Sequence, residues 1–207
     1  MKKNLKKNLK MTIEQIMESE IPKEHLALAT EQEKADLIEY YKRGKTHLGG
    51  YSDHDVRYMR LAKEFSTWSK DPSTQIGAVA ISKEGSRVLS QGYNGFPRKI
   101  KDDHRLYIRK LKYDIVVHAE MNMIYNAVED GVSLRDSTVY IYGLPCCTAC
   151  ANALIQSGVE RVVMLDVKND VNWTESFKLT RNKFDEAGIA YSLILDKKFL
   201  KQGKDKS

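Results

Sequence analysis

The chain has 207 residues, of which 42% are hydrophobic and 30% charged, as in a globular protein with one sizeable core. No apolar run approaches the roughly 20 residues that a membrane helix needs, and the N-terminus lacks the apolar segment and cleavage site of a secretory signal. We therefore expect a cytoplasmic protein without membrane association. The net charge of +6 is concentrated in the lysines of the two ends, so the slightly acidic body argues against nucleic-acid binding.

Residues 1–50 are predicted to form a helical N-terminal extension with a basic tail. Thr12 and Gln15 fit a capping box, and the apolar-periodic segment that follows ends at Gly44, a helix stop signal. The Gly-Gly-Tyr-Ser run at 49–52 has the composition of a linker. We therefore place a domain boundary near residue 50, with the main domain at 51–196 and a second basic tail at 197–207.

The main domain is predicted to alternate between helices and strands. A helix capped near Asp53 and ending about Trp68 precedes a β-hairpin over 75–82 and 87–93. Further helices are predicted over 102–113, 118–131, 147–158 and 173–188, and strands over 137–143, 161–166 and 189–195. This order predicts an α/β fold, a three-layer α/β/α sandwich around a mixed sheet of about five strands.

A histidine and two cysteines form the candidate metal site. His118 begins one predicted helix, and Cys147 and Cys150, three residues apart, both lie in the first turn of another. Three such ligands leave the fourth zinc position open for water, the catalytic arrangement. The alternative is a closed structural site that adds Cys146, but adjacent cysteines project in divergent directions. We therefore expect Cys146 to be a small buried residue beside the site.

Glu120 follows His118 by two residues, which suggests a role in proton transfer. A carboxylate beside metal-activated water, but not itself a ligand, can accept a proton and return it to a substrate nitrogen. The alternative is a solvent-facing helix glutamate. The downstream CxxC pair favours the catalytic role, because the combined signature is that of the zinc-dependent nucleobase deaminases.

Four motifs resemble the deoxycytidylate (dCMP) deaminase family, a branch of the cytidine deaminase-like fold. They are DPSTQIGAVAIS, GYNGFPR, VVHAEMN and CTACANALIQSGVERVV, within a resemblance that covers roughly residues 55–195. The zinc motif alone would admit deaminases of cytidine, cytosine, guanine, tRNA adenosine or a riboflavin precursor. GYNG together with DPSTQIGA narrows the resemblance to deoxycytidylate.

The resemblance implies hydrolysis of dCMP to dUMP and ammonia, with Glu120 moving a proton from water to N3 as C4 is attacked. It also implies that Asn94 binds the deoxyribose and that the backbone at Ala119 contacts the cytosine edge; for Asn94 the alternative is a turn residue. The basic stretch 98–112 offers phosphate donors, of which Arg105 and Arg109 give bidentate geometry. A solvated charged helix face is the alternative there.

The sequence departs from the family pattern at two positions. Cys146 stands between Pro145 and the first ligand cysteine, which lengthens the turn, and Met123 replaces the usual alanine after HAExN. Too few cysteines are present for a second, structural zinc, so we expect one zinc per chain. The family resemblance also implies a homo-oligomer, with a hexamer as the expected assembly. Rival functions are deamination of dCTP, cytidine or a tRNA base, or non-catalytic zinc or nucleotide binding.

Overall fold

The structure is a computed structural model that describes residues 51–166 and 171–195, together with Ala27, Thr30, Glu31 and Lys34. The chain divides into two units, 1–46 and 47–207, and the second unit contains every element named below. Apart from the four isolated positions, the predicted extension at 1–50 lies outside the described residues, as does the tail at 197–207. The domain boundary near residue 50 stays a prediction.

The second unit contains five named α-helices, one 3₁₀ helix and five strands among the described residues. In chain order the elements are α1 (Asp53–Ser66), β1 (Gly77–Ile81), β2 (Val88–Tyr93), the 3₁₀ helix (His104–Tyr107), α2 (Arg109–Ile115), α3 (Ala119–Glu129), β3 (Thr138–Tyr142), α4 (Thr148–Gln156), β4 (Arg161–Asp166), α5 (Val171–Ala187) and β5 (Ala190–Leu195). No helix in the described part of the chain is both long and apolar enough to span a bilayer.

The five strands form one mixed sheet in the order β2-β1-β3-β4-β5. β1 runs antiparallel to both β2 and β3, whereas β3, β4 and β5 are mutually parallel. The antiparallel β1–β2 pair is a hairpin whose loop spans residues 82–87, and the parallel pairs β3–β4 and β4–β5 are connected through the crossover helices α4 and α5. The predicted mixed sheet of about five strands is thus confirmed.

Each face of the sheet is covered by helices. α1 packs Val56, Met59 and Ala62 onto one face, where they meet alternate strand residues such as Val79 and Val163. The opposite face carries the next residues along each strand, among them Ala78, Ala80, Val139, Ile141, Val162 and Met164, which pack against residues of α3, α4 and α5. Because successive strand side chains point to opposite faces, the four strands β1, β3, β4 and β5 contribute to both cores. The three-layer α/β/α prediction is confirmed.

A glycine lets α3 approach the sheet closely. A Cβ added to Gly92 of β2 would lie 2.3 Å from the backbone nitrogen of Met123 and 2.5 Å from the carbonyl oxygen of Ala119. Asn122 and Asn126 add side-chain hydrogen bonds from α3 to the carbonyls of Tyr93 and Gln91. β2 therefore fixes the position of α3, the helix that begins at His118.

The single helix predicted over 102–113 is wrong, because the structure has two shorter helices there, the 3₁₀ helix and α2. Asp103 caps the 3₁₀ helix by accepting from the backbone N–H of Arg105. Ile108 then adopts an extended conformation, with φ −104° and ψ 102°, before α2 begins. The extended residue turns α2 away from the line of the 3₁₀ helix. The break matters because α2 carries Lys112 into the candidate site.

Candidate active site

The N-termini of α3 and α4 bring the predicted metal ligands together. His118 is the N-cap residue of α3, and Cys147 is the N-cap residue of α4. Both have extended backbone conformations, so each side chain projects beyond the first turn of its helix. Cys150 lies one turn into α4 and is buried. The two helix ends place one nitrogen and two sulfur atoms around a common point.

The ligand atoms have the spacing that zinc requires. His118 Nδ1 lies 3.5 Å from the Sγ atoms of both Cys147 and Cys150, and all three ligand atoms lie within 4.8 Å of one another. A tetrahedral zinc with ordinary Zn–S and Zn–N bond lengths would hold nitrogen and sulfur about 3.6 Å apart. The donor set and its spacing therefore fit zinc, with one coordination position left for a non-protein ligand.

The local electrostatics favour a thiolate at Cys147. The hydrogen bond from Cys150, followed by the contact with His118, lowers the pKa of Cys147 to about 4. The same bond to Cys147 raises the pKa of Cys150, and the hydrogen bond with Cys147 raises the pKa of His118. The N-terminus of α4 further stabilises negative charge on these sulfurs. These contacts favour the thiolate form of Cys147, and zinc would require both sulfurs as thiolates.

Glu120 lies in the first turn of α3 and is buried, with 3% of its surface exposed. Burial raises its pKa. A raised pKa suits a group that has to accept and release a proton near neutral pH. The solvent-facing alternative considered for this glutamate is therefore wrong.

Cys146 and Met123, the two departures from the family pattern, are both buried outside the metal cluster. Cys146 donates its backbone N–H to Met164 Sδ at 3.5 Å, and its carbonyl accepts from Thr180 Oγ1 at 2.9 Å. Those bonds hold the extra residue of the turn against β4 and α5. Met123 has no exposed surface and belongs to the core beneath α3. Its side chain packs under the site and does not narrow the cleft.

An open cleft leads from the surface to His118, Glu120 and Cys147. Its empty volume is about 530 Å³, which includes the solvent-filled mouth. The residues that line it are Asp71, Thr74, Ile76, Asn94, Lys112, Tyr113, Val116, His118, Glu120, Leu144, Pro145 and Cys147. The metal cluster and Glu120 therefore open onto a single cavity, which holds Asn94 and a lysine as well.

Asn94 lies in the cleft wall, and the protein itself uses most of its amide. Its Oδ1 accepts from the backbone N–H of Ile76 at 2.8 Å, and its Nδ2 donates to the carbonyl of Thr74 at 2.9 Å. Ala119, by contrast, has no exposed surface, and it is the first residue of α3. The predicted sugar-binding residue thus also holds the cleft wall together.

The two predicted phosphate-binding arginines are absent from the residues that line the cleft. Arg105 pairs with Asp103, with Nε 2.8 Å from Oδ1, and lies over the ring of Phe96. Arg109 is exposed, and its guanidinium lies 5.1 Å from the ring centre of Tyr113, a cleft residue. Arg109 is therefore next to the rim, whereas Arg105 is engaged elsewhere.

Asp71 is a cleft residue that sequence reasoning did not single out. It is buried and forms an ion pair with Lys112, whose Nζ lies 2.9 Å from Oδ2. The motif DPST contained a signal, since an aspartate before Pro-Ser-Thr is typical of a turn that bonds its own backbone. The partner could not be inferred, because Lys112 is 41 residues away in the sequence.

The fold and the site together define a class of protein. An α/β/α sandwich that presents one histidine, two cysteines and a buried glutamate at two adjoining helix N-termini is the arrangement of zinc-dependent nucleobase deaminases.

Comparison with known proteins places the chain within this class. Residues 52–166 match the family described as "Cytidine and deoxycytidylate deaminase zinc-binding region". A Caenorhabditis elegans protein named "Probable deoxycytidylate deaminase" is 38% identical over 143 residues, which span 67% of this chain and 68% of the relative. Human deoxycytidylate deaminase is 30% identical over 71% of this chain and 83% of the relative. The chain belongs to the cytidine and deoxycytidylate deaminase family, as the sequence motifs predicted.

A solved structure supports the same fold. The dCMP deaminase of cyanophage S-TIM5, solved in complex with dCMP and dUMP, superposes with a TM-score of 0.54 at 19% identity. The match covers 70% of this chain and 100% of the cyanophage chain. The cytidine deaminase-like fold is therefore confirmed for the described domain.

Proposed function

We propose that the protein hydrolyses dCMP to dUMP and ammonia. The observation that carries this function is the opening of two of the three metal ligands, His118 and Cys147, together with buried Glu120, onto one cleft. Relatives named deoxycytidylate deaminase, at 38% and 30% identity, support deoxycytidylate as the substrate. Among cytosine compounds it is the one that the motifs GYNG and DPSTQIGA favour.

The three ligands would hold one zinc, which supplies Lewis-acid activation of the attacking water. Glu120 accepts the proton of that water as oxygen attacks C4, and it then delivers the proton to N3. The hydroxyl now at C4 then gives up its proton, and Glu120 passes this second proton to the amino nitrogen, so the C4–N bond breaks, ammonia leaves and a carbonyl forms at C4. Burial of Glu120 excludes bulk water from these transfers, so the proton stays within the site.

The remaining cleft residues would orient the nucleotide. Oδ1 of Asn94 keeps a free lone pair that can accept from a deoxyribose hydroxyl. Arg109, stacked beside the cleft residue Tyr113, is better placed to reach the phosphate than Arg105, whose Nε already bonds Asp103.

An assay that follows the loss of absorbance on deamination of the cytosine ring tests the proposal. The purified protein, with its zinc, is assayed against dCMP, dCTP, cytidine and unmodified tRNA at equal concentration. We expect dCMP to have the highest kcat/KM by at least tenfold, a difference of about 1.4 kcal/mol in transition-state binding. A preference for dCTP or cytidine, activity on tRNA alone, or no turnover by the zinc-loaded protein would contradict it.

The same proposal includes a cytoplasmic homo-oligomer that does not bind nucleic acid. None of the three cysteines is in a disulfide, as expected in a reducing compartment. Several large apolar side chains are exposed, including Tyr107, Tyr125 and Val128 at 75%, 50% and 72%. Such side chains suit a subunit interface. Light scattering should give a mass of several chains, a hexamer if the family resemblance extends to assembly, and a monomer would contradict this part.

A further inference from the structure

A buried ion pair in the cleft wall has no part in the proton transfers described above. The side chains of Asp71 and Lys112 are 3% and 10% exposed, and Lys112 Nζ lies 2.9 and 3.0 Å from the two carboxylate oxygens. The ammonium also donates to Ser73 Oγ at 2.6 Å. Lys112 thus joins α2 to the segment that precedes β1, and its charge is balanced by Asp71.

Asp71 in turn organises the segment 71–76. Its Oδ1 accepts from the backbone N–H groups of Ser73 at 2.9 Å and Thr74 at 3.1 Å, and from the hydroxyl of Ser73 at 2.8 Å. Burial alone would raise the pKa of Asp71, but hydrogen bonds from Lys112 and Ser73 outweigh it and lower the pKa. The carboxylate is therefore ionised at neutral pH and holds the turn from several sides.

The organised segment sets the orientation of the Asn94 amide. The N–H of Ile76 can bond only to Oδ1, and the carbonyl of Thr74 can bond only to Nδ2. In addition, Asn94 Nδ2 lies 3.4 Å from Asp71 Oδ2. These contacts prevent an amide flip, so Asn94 presents the remaining lone pair of Oδ1.

We propose that the Asp71–Lys112 ion pair is a positioning device for nucleotide binding. Lys112 holds Asp71, Asp71 holds the segment 71–76, and that segment holds the Asn94 amide in the orientation that accepts from a sugar hydroxyl. Lys112 acts through Asn94 and not on the phosphate, because Asp71 already balances its charge and its ammonium already donates to Asp71 and Ser73. The inference rests on the proposed function for the identity of the ligand.

The test compares two inhibitors that differ only in the phosphate. Lys112→Met keeps the aliphatic stem and removes the ammonium, and Lys110→Met makes the same change at an exposed position of α2. For Lys112→Met we expect the inhibition constants of dUMP and 2′-deoxyuridine to rise by the same factor, on the order of tenfold or more. Zinc content and kcat should stay within twofold, and Lys110→Met should match the parent.

A rise for dUMP alone would mean that Lys112 contacts the phosphate directly, and it would overturn the proposal. An unchanged pair of constants would do the same. If Lys112 acts through Asn94, adding Lys112→Met to Asn94→Ala should change the two inhibition constants by less than twofold. Additive effects of the two substitutions on the inhibition constants would show that Lys112 does not act through Asn94.

Amide hydrogen exchange provides a measurement that does not depend on activity or on the substrate. In Lys112→Met the N–H of Ile76, which bonds to Asn94 Oδ1, should exchange at least about tenfold faster, while the amides of α4 and β4 keep their parental rates. Unchanged exchange at Ile76, or faster exchange throughout the domain, would overturn the positioning role. A parent protein that fails to deaminate dCMP would instead contradict the proposed function. The hydrogen-exchange result would still test whether Lys112 positions Asn94, because it does not depend on activity.

Discussion

Glu120 is the residue at which catalysis can be separated from metal binding. Glu120→Gln keeps the size and hydrogen bonding of the side chain but removes its basic oxygen, so zinc content and dCMP affinity should stay close to the parent. Turnover should fall by about a hundred- to ten-thousand-fold, toward the larger figure because one group serves two proton transfers. Steady-state kinetics and metal analysis check both points.

The matched control for that experiment is Glu129→Gln, at the exposed far end of the same helix. It makes the same chemical change on α3 without touching the cleft, and its turnover should equal that of the parent. If Glu120→Gln retained zinc and kept its rate within about tenfold, or ~1.4 kcal/mol of barrier, the proton-transfer role would be contradicted.

The three cysteines should differ in their effect on zinc content. Cys147→Ser and Cys150→Ser each remove a sulfur from the cluster, so the purified variants should lose most of the roughly one zinc per chain expected for the parent. Cys146→Ser should retain it, because Cys146 is buried outside the cluster. Atomic emission on equal amounts of protein makes the comparison. Loss in Cys146→Ser with retention in Cys147→Ser would reverse the ligand assignment.

At the scale of single elements, the contact between β2 and α3 is the one that positions His118 and Glu120. In Gly92→Ala the new Cβ would press against backbone atoms of Ala119 and Met123, which cannot rotate away as a side chain would. The helix must shift, so we expect a loss of about 1–3 kcal/mol in unfolding free energy and a lower kcat. Denaturant unfolding and kinetics measure the two effects.

Gly95→Ala is the control for this substitution. Its nearest neighbour, a ring atom of Tyr93, would be 4.0 Å from the added Cβ, and Gly95 does not have positive φ. The variant should therefore unfold within about 0.5 kcal/mol of the parent, the usual range for a substitution that makes no clash. Equal losses at both glycines would show that close packing of β2 on α3 is not the cause.

Sequence patterns predicted elements best where the determinants are local. The short apolar runs at 75–82 and 87–93, with a turn between them, identified the hairpin, and the spacing of Cys147 and Cys150 identified a shared helical turn. The break at Ile108 was missed because nothing in the charged run around it marks an extended residue. The burial of Lys112 was missed for a different reason: its ion pair depends on Asp71, 41 residues earlier, and composition alone describes such a lysine as solvated.

At the scale of the whole molecule, a second buried ion pair joins distant parts of the chain. Asp55 of α1 accepts from Arg161 of β4 at 2.6 and 3.1 Å, and from the Tyr140 hydroxyl of β3 at 2.8 Å. Arg161 also donates to Ser192 of β5 at 2.9 Å. One carboxylate thus connects a covering helix to strands of the sheet. It lies on the face opposite α3 and α4, so its loss should affect stability before it affects the cleft.

This arrangement predicts a particular dependence of stability on pH. Burial opposes ionisation of Asp55, but hydrogen bonds from Arg161, Ser52 and Tyr140 prevail and lower its pKa below the ordinary value. A lowered carboxyl pKa contributes stability that is fully present above the unfolded-state pKa, about 3.9, and is lost as pH falls through the folded-state pKa. The contribution should therefore be complete at pH 7 and fade below about pH 4.

The variant Arg161→Met tests that dependence, with exposed Arg57→Met on α1 as its control. At pH 7 the unfolding free energy of Arg161→Met should be about 3 kcal/mol lower than that of the parent, because the substitution leaves a buried carboxylate without its charged partner. The control should differ little. As pH falls below about 4, protonation of Asp55 removes the charge that Arg161 neutralises, so the gap between Arg161→Met and the parent should shrink. Urea unfolding at a series of pH values measures it, and a gap that stays constant or widens in acid would show that the pair contributes through packing and not through charge.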